Sequence, residues 1–188
     1  MPDLLDDSMV EKNLFNTQLV PVNPENIELL QDICSTVYSA NFEDHWNGEG
    51  LRDYLENQFG KKRLKIDLAD QFSRYYFITS GGRIRGFLKL RLHTGIEGYL
   101  PDSTAELEKI YILPTDKGMG FGKSALQQIF QFLSLRKIHN LFLQVIDTNK
   151  SAIAFYEKLG FKKIGVDRLD EPNFKEELRG MYTMMIHL

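Results

Sequence analysis

Hydrophobic residues recur at two spacings along the chain, and each spacing predicts a type of element. Apolar residues three and four positions apart, such as Leu30, Cys34 and Val37, indicate amphipathic helices. Short aromatic and β-branched runs bounded by turn residues indicate strands. The predicted helices cover residues 23–37, 51–59, 64–72, 120–137 and 149–159. The predicted strands cover residues 18–22, 75–79, 84–92, 105–113, 141–146, 162–169 and 181–187.

The order of these elements favours an α/β fold with one mixed sheet and helices packed on it. A length of 188 residues fits a single domain, which we expect to span residues 1–188. Residues 1–16 show no clear period, and we expect a tail or a loosely docked arm there, followed by a folded core over 17–188. We expect a loop over 41–50 and a break between two short helices over 60–63.

Composition and charge exclude several classes of function. The net charge of −3 gives no general attraction to nucleic acid or to an anionic membrane. No apolar run approaches the roughly 20 residues that span a bilayer, and the acidic start lacks the basic region of a signal peptide. The single cysteine, Cys34, allows no internal disulfide, and the four histidines show no paired spacing. We therefore expect a cytoplasmic protein with no membrane or nucleic-acid partner and no metal site.

Three glycines at alternate positions, Gly118, Gly120 and Gly122, lie between a predicted strand and a predicted helix. The first turn of a helix carries unpaired N–H groups and a partial positive charge. Glycines at this point let a ligand come close to the backbone, and phosphate is the group that such sites commonly bind. The segment therefore predicts a phosphate cradle.

Two common phosphate motifs fit this segment poorly. A Walker A loop ending at Gly122-Lys123-Ser124 needs its first glycine at position 117, where Lys117 stands. An NTPase would also need a metal-binding aspartate, for which Asp147 after a buried strand is the candidate. The dinucleotide fingerprint would need glycine at position 123. The P-loop NTPase is therefore a distant alternative.

Two motifs together resemble the GCN5-related N-acetyltransferases, the GNAT superfamily. The family's glycine motif, [QR]-x-x-G-x-[GA], appears as Lys117-x-x-Gly120-x-Gly122, with lysine in place of arginine or glutamine. Its second motif is matched by Asn149, Tyr156 and the run Leu159-Gly160-Phe161. The resemblance covers residues 74–164 and implies a mixed, mostly antiparallel sheet of six to seven strands flanked by about four helices. It also implies an acyltransferase that uses acetyl-CoA.

The resemblance assigns cofactor-binding roles along three elements. The pyrophosphate of acetyl-CoA would bind the glycine segment, and the pantetheine arm would pair with the strand before it like an added strand. Asn149 would contact the cofactor near the pantetheine or phosphate region, besides capping its own helix. The residues implied are Ile110, Tyr111, Ile112, Lys117, Gly118, Met119, Gly120, Phe121, Gly122, Lys123 and Asn149.

The catalytic residues implied by the resemblance are Tyr156, Glu106 and Glu108. Tyr156 would protonate the departing CoA thiolate. Glu106 would be the general base, with Glu108 or a chain of water molecules as the alternative. In a regular strand Glu106 and Glu108 share one face with Ile110 and Ile112. We expect direct acetyl transfer, because Cys34 lies on the apolar face of a helix with no activating neighbour.

CoA is expected to enter a V-shaped gap between the strands at 105–113 and 140–147. The choice of acceptor is expected to come from the first two helical regions and from the loops around Phe42–Trp46 and His93–Pro101. The sequence is similar to the polyamine-acetylating branch of the family, and Glu43, Asp44 and Glu97 together with the two strand glutamates are candidates for a negative pocket. A polyamine or another small primary amine is therefore the favoured acceptor, and a protein N-terminus or lysine is the alternative. A non-catalytic CoA-binding sensor is an alternative of another class. The last two strands are a candidate surface for a homodimer.

Overall fold

The computed structural model describes residues 17–188, so the tail or arm expected over 1–16 lies outside the described residues. The described chain forms one mixed sheet of seven strands. These are β1 (Gln18–Pro21), β2 (Ser73–Ser80), β3 (Arg83–Leu92), β4 (Thr104–Ile112), β5 (Asn140–Ile146), β6 (Lys162–Arg168) and β7 (Gly180–His187). The strand order is β1-β2-β3-β4-β5-β7-β6, and every neighbouring pair is antiparallel except β4 and β5.

Five α-helices in the described region cover the two faces of this sheet. They are α1 (Ile27–Phe42), α2 (Gly50–Phe59), α3 (Lys61–Ala69), α4 (Phe121–Ser134) and α5 (Lys150–Lys158). Helices α1 to α3 bury a cluster that includes Leu30, Phe59 and Leu64 against one face. Helices α4 and α5 bury a second cluster, which includes Leu126 and Tyr156, against the other face. The fold is thus the mixed, mostly antiparallel α/β architecture expected from the sequence.

Strands β4 and β5 pair over only three residues each, from Thr104 opposite Asn140 to Glu106 opposite Phe142. Beyond that point β4 continues beside β3 as far as Ile112, and β5 continues beside β7 as far as Ile146. The two strands therefore separate in the middle of the sheet. The gap expected from the sequence lies here, and it connects the two faces of the sheet.

Two local expectations were wrong, for identifiable reasons. Helix α1 continues to Phe42 and does not give way to a loop at residue 41, because the ring of Phe42 packs against the buried ring of Tyr38 one turn earlier, at a centroid distance of 4.8 Å. Helix α3 begins at Lys61, because residues 61–63 are good helix formers and make its exposed first turn. Gly60 alone separates α2 from α3, in an extended conformation.

Strand β4 is not regular, which also corrects the expectation for its side chains. The pairing with β3 shifts by one residue, since Lys109 lies opposite Lys89 whereas Leu107 lies opposite Leu90. Glu108 is the extra residue of a β-bulge, and a bulge reverses the alternation of side chains beyond it. Ile110 and Ile112 consequently pack on the α4–α5 face. Glu106 lies opposite Arg91 on the α1–α3 face, so Glu106 and Ile110 do not share a face.

Candidate active site

A cleft of about 1110 Å³ runs through the sheet where β4 and β5 separate. Its lining comes from both faces, with Tyr156 of α5 on one side and Tyr38 of α1 on the other. Thirteen of the residues implied by the resemblance line it: Glu106, Glu108, Ile110, Tyr111, Ile112, Lys117, Gly118, Gly120, Phe121, Gly122, Lys123, Asn149 and Tyr156. Met119 is the exception, because its side chain is 41% exposed and lies outside the lining.

The glycine segment forms the entrance to helix α4 at one end of the cleft. Gly118 and Gly120 have φ angles of 78° and 85°, which side chains disfavour. A Cβ atom at Gly118 would meet no atom within 4 Å, so open space lies in front of this backbone. No side chain caps α4, and the first N–H groups of a helix have no partner within it. With Lys117 and Lys123 exposed nearby, this cradle fits a pyrophosphate.

The backbone of β4 provides a second binding element along the cleft. On one side, Ile110, Tyr111 and Ile112 lie opposite residues of β3. On the other side the pairing with β5 has already ended at Glu106. This free edge fits an extended, amide-containing arm, which could pair with it as an added strand does.

Asn149 has a structural role in this arrangement. Its Oδ1 atom accepts hydrogen bonds from the backbone N–H of Ala152 at 3.2 Å and from Ser151 Oγ at 3.1 Å. It is thus the N-cap of helix α5 and also part of the cleft lining. Capping fixes the start of the helix that carries Tyr156.

The phenol of Tyr156 lies deep in the cleft on the α4–α5 face. The residue is 9% exposed, and its ring packs against those of Phe155 and Phe161 at centroid distances of 5.2 and 5.6 Å. Burial raises the pKa of Tyr156 above its ordinary value. The phenol therefore stays protonated at neutral pH and is available as a proton donor.

Glu108 is held by two lysines. Its Oε1 atom accepts hydrogen bonds from Lys89 Nζ and Lys109 Nζ, both at 2.8 Å. Burial acts to raise the pKa of Glu108, but the two ammonium groups outweigh burial and lower this pKa to about 2. A carboxylate stabilised in this way is a weak base, so Glu108 is poorly suited to remove a proton from the acceptor.

The environment of Glu106 has the opposite effect. Burial raises the pKa of Glu106, and the negative charge of Glu108 raises it further, although Arg91 opposes them. No hydrogen bond from the other residues of the described chain stabilises its charge in the way that the lysines stabilise Glu108. Of the two glutamates, Glu106 is therefore the better proton acceptor.

Sequence reasoning missed the buried charges that separate these two glutamates. Lys89 also contacts Asp67 Oδ2 at 2.7 Å, and Asp67 is further paired with Arg63 at 3.0 Å. Asp67 also accepts a hydrogen bond from Tyr75. The alternation of β3 places Lys89 on an inner face between apolar neighbours. A lysine at a buried position needs a charged partner, and this was the available signal for the buried ion pairs.

The acidic pocket expected from the sequence does not form as proposed. Glu43, Asp44 and Glu97 do not line the cleft, and Glu108 is neutralised by its lysines. Tyr38, Phe42, Tyr54 and Phe174 lie there instead. The helical spacing of Tyr38 after Cys34 could have indicated its position, whereas nothing in the local sequence pointed to Phe174.

Other kinds of site find little support in the described residues. Within 17–188, no group of three or more histidine, cysteine, aspartate or glutamate residues is placed to hold a metal ion. No helix over the same range is long and apolar enough to cross a membrane. Cys34 is fully buried, does not line the cleft, and has a pKa raised by burial.

Residues 30–161 match the family model described as Acetyltransferase (GNAT) family. An uncharacterized N-acetyltransferase in the pepI 3′ region of Lactobacillus delbrueckii subsp. lactis is 23% identical over 154 residues, which cover 80% of this chain and 87% of that protein. A [ribosomal protein bS18]-alanine N-acetyltransferase of Haemophilus influenzae is 40% identical over 62 residues, or 33% of this chain and 42% of that protein.

Solved structures of low sequence identity share the fold. PaiA N-acetyltransferase from Thermoplasma acidophilum, solved in complex with coenzyme A, has a TM-score of 0.71 and 16% identity, covering 92% of this chain and 99% of that one. Spermidine/spermine N-acetyltransferase SpeG from Vibrio cholerae has a TM-score of 0.65 and 17% identity, covering 93% and 94% of the two chains.

Proposed function

The chain belongs to the GNAT acetyltransferase family and is an acyltransferase that uses acetyl-CoA, and we propose that its acceptor is the primary amine of a small molecule. The observation that carries this proposal is the placement of two ionisable groups in one cleft. Glu106 lies on the α1–α3 side of the gap and Tyr156 on the α4–α5 side. A base for the incoming amine and an acid for the departing thiolate would thus flank the reacting atoms.

The acceptor amine needs a base because it is protonated at neutral pH. An alkyl amine with a pKa of about 10 is neutral in only about one molecule in a thousand at pH 7, which corresponds to about 4 kcal/mol. We assign the removal of this proton to Glu106, directly or through water. Its raised pKa makes it a stronger base than an ordinary glutamate.

The departing group needs an acid. Bound acetyl-CoA supplies the acetyl group as a thioester, whose cleavage leaves a thiolate with a pKa of about 8.5. We assign the return of a proton to the neutral phenol of Tyr156. Because this pKa is raised, Tyr156 acts through its position and not through unusual acidity.

We propose that the transfer is direct. A covalent acyl-enzyme would need a nucleophile in the cleft, and Cys34 is fully buried outside it. The cradle at Gly118 and Gly120, the free edge of β4 and the α5 terminus would hold the cofactor while the amine attacks. Both substrates would then be bound together.

A protein N-terminus is the second candidate acceptor. The similarity to the bS18-alanine N-acetyltransferase favours it, since identity there reaches 40%, although over 62 residues only. A CoA-binding sensor without catalysis is the alternative from another class. These three possibilities differ in what they consume, which makes them separable by one assay.

The test is thiol release from acetyl-CoA in the presence of a panel of amines, including spermidine, small monoamines, amino sugars and an alanine-starting peptide. We expect amine-dependent thiol release together with the acetylated small amine by mass spectrometry. Acetylation of the peptide alone would replace the small-molecule acceptor with a protein one. Binding of CoA without acetylation of any amine would support the sensor.

A further inference from the structure

The half of the cleft on the α1–α2 side is walled by aromatic rings. The ring of Tyr38 lies 4.6 Å from that of Tyr54 and 4.8 Å from that of Phe42. Tyr111 of β4 joins the group, at 5.2 Å from Phe42 and 5.6 Å from Tyr38. These four side chains all line the cleft, so they form a continuous ring surface and not isolated contacts.

The wall continues onto the segment between β6 and β7. His45 follows α1, and its ring lies 5.2 Å from Phe42 and 5.7 Å from Phe174. Burial lowers the pKa of His45, with a further contribution from Lys175, so the ring is neutral at pH 7. Leu169 and Met181 add apolar surface at the same end. The wall therefore carries no cation of its own at neutral pH.

Among residues 17–188, few carboxylates line the cleft. There are three, of which Glu108 is paired with Lys89 and Lys109, and Asp116 is paired with Arg85 at 3.1 Å. Glu106 is the remaining one. An acceptor with several ammonium groups would leave all but one of them without a carboxylate partner, next to lysines that repel them.

From these observations we infer that the acceptor carries one ammonium group on an aromatic or bulky apolar body, with the ammonium at Glu106 and the body against the rings of Tyr38, Phe42, Tyr54 and Tyr111. This inference rests on the proposed acetyl transfer to a small amine, and it names the class of that amine. Aromatic and aliphatic bodies gain from leaving water for such a wall, and ring edges and faces add directional contacts. A linear polyamine lacks such a body, so its gain would be limited to contacts between its ammonium groups and the ring faces.

The first test compares kcat/KM for three amines, of which two lack a ring and one of those two carries additional ammonium groups. We expect kcat/KM for 2-phenylethylamine to be at least tenfold higher than for ethylamine, which lacks the ring. We expect the same margin over spermidine, which adds charge. Equal values for 2-phenylethylamine and ethylamine, or a higher value for spermidine, would overturn the inference. The proposed acetyl transfer would survive either result, because thiol release would still be observed.

The second test removes one ring of the wall. Phe42→Ala should raise KM for 2-phenylethylamine about tenfold and leave KM for ethylamine within twofold. Phe132→Ala is the matched control, because Phe132 is half-buried on α4 and does not line the cleft. Phe42→Leu keeps the apolar volume, so its KM for 2-phenylethylamine should rise less than that of Phe42→Ala. The melting temperature of Phe42→Leu shows whether the variant is folded. An equal loss for both amines in Phe42→Ala would contradict the inference.

Discussion

Lys89 Nζ lies 2.8 Å from Glu108 Oε1, and the side chain of Lys89 is 1% exposed. One buried ammonium thus connects the bulge of β4 to helix α3, where Asp67 is its second partner. The same contact gives the two strand glutamates different environments, since it pairs Glu108 with an ammonium group, whereas Glu106 has no such partner among residues 17–188. The proposed role of Glu106 therefore depends in part on a contact that also stabilises the fold.

Replacing Lys89 with methionine should destabilise the protein strongly. Asp67 would keep Arg63 and Glu108 would keep Lys109, but each carboxylate would lose a buried hydrogen bond from an ammonium group, and the loss of such a bond typically costs about 1.5–3 kcal/mol. Urea unfolding followed by circular dichroism measures this change in free energy. Lys61→Met is the control, since Lys61 is paired with Glu28 on the exposed surface and should change stability little. Similar midpoints for both variants would contradict the buried pair.

Glu108 should make stability depend on pH in acid. Its pKa in the folded protein is about 2, below the ordinary value of 4.5 that applies when the chain unfolds. The unfolded state therefore takes up this proton first, and the stabilisation present above pH 4.5 is lost as pH falls toward 2. Glu106 has a raised pKa and works in the opposite direction. The difference in unfolding free energy between wild type and Glu108→Gln should shrink across this window. A constant difference would show that the pKa of Glu108 is not lowered in the folded protein.

Changing Glu106 to glutamine should lower kcat/KM by about 10²–10⁴-fold, because the amide cannot accept the amine proton. In the wild type, kcat/KM should fall as pH drops through the raised pKa of Glu106, at a pH above the ordinary value for glutamate. The variant should lack this fall at low pH, the acidic limb of the profile, and should keep the pH dependence of kcat/KM that is due to protonation of the amine substrate. The exposed Glu97→Gln serves as control and should behave as wild type. An unchanged acidic limb in Glu106→Gln would assign the proton transfer elsewhere.

Tyr156→Phe should lower kcat by about 100-fold and leave the affinity for acetyl-CoA nearly unchanged, since only the proton donor is lost. Tyr76→Phe is a matched control, because Tyr76 is also 9% exposed but lies on β2 away from the cleft. Steady-state kinetics and calorimetric titration with acetyl-CoA provide the two measurements. If both tyrosine variants lost the same activity, Tyr156 would have no special role.

Gly118→Ala should weaken the binding of CoA at least tenfold. The φ angle of 78° is unfavourable for alanine, and the added methyl group would enter the open space of the cradle. Gly82→Ala has the same backbone problem, with a φ of 71° and no atom near its Cβ, but it lies in the hairpin between β2 and β3. Calorimetry should therefore show a loss of affinity for CoA in Gly118→Ala only, whereas the two variants should lose similar amounts of unfolding free energy. Equal affinities would place the pyrophosphate elsewhere.

The sequence was sufficient to predict the sheet, the helix entrance and the family, because these depend on local spacing. Short aromatic and β-branched runs between turn residues located β2 to β7, and Gly120 and Tyr156 both line the cleft as expected from their motifs. The neutralisation of Glu108 was not predictable, since its lysine partner Lys89 comes from a different strand. The ring of Phe174 was likewise out of reach, because only long-range packing brings it to Trp46 and His45.

The bulge at Glu108 has a consequence for how this strand can be altered. Because the alternation of side chains reverses there, the two halves of β4 are out of phase by one residue. Deleting residue 108 would remove the bulge and still leave Leu107 opposite Leu90 and Tyr111 opposite Phe87, so the ring wall would stay on its side of the sheet and only the carboxylate between Lys89 and Lys109 would be lost. Segments exchanged with a homologous protein must therefore be aligned with this extra residue taken into account, because an error of one position would carry Tyr111 from the α1 side to the α4 side.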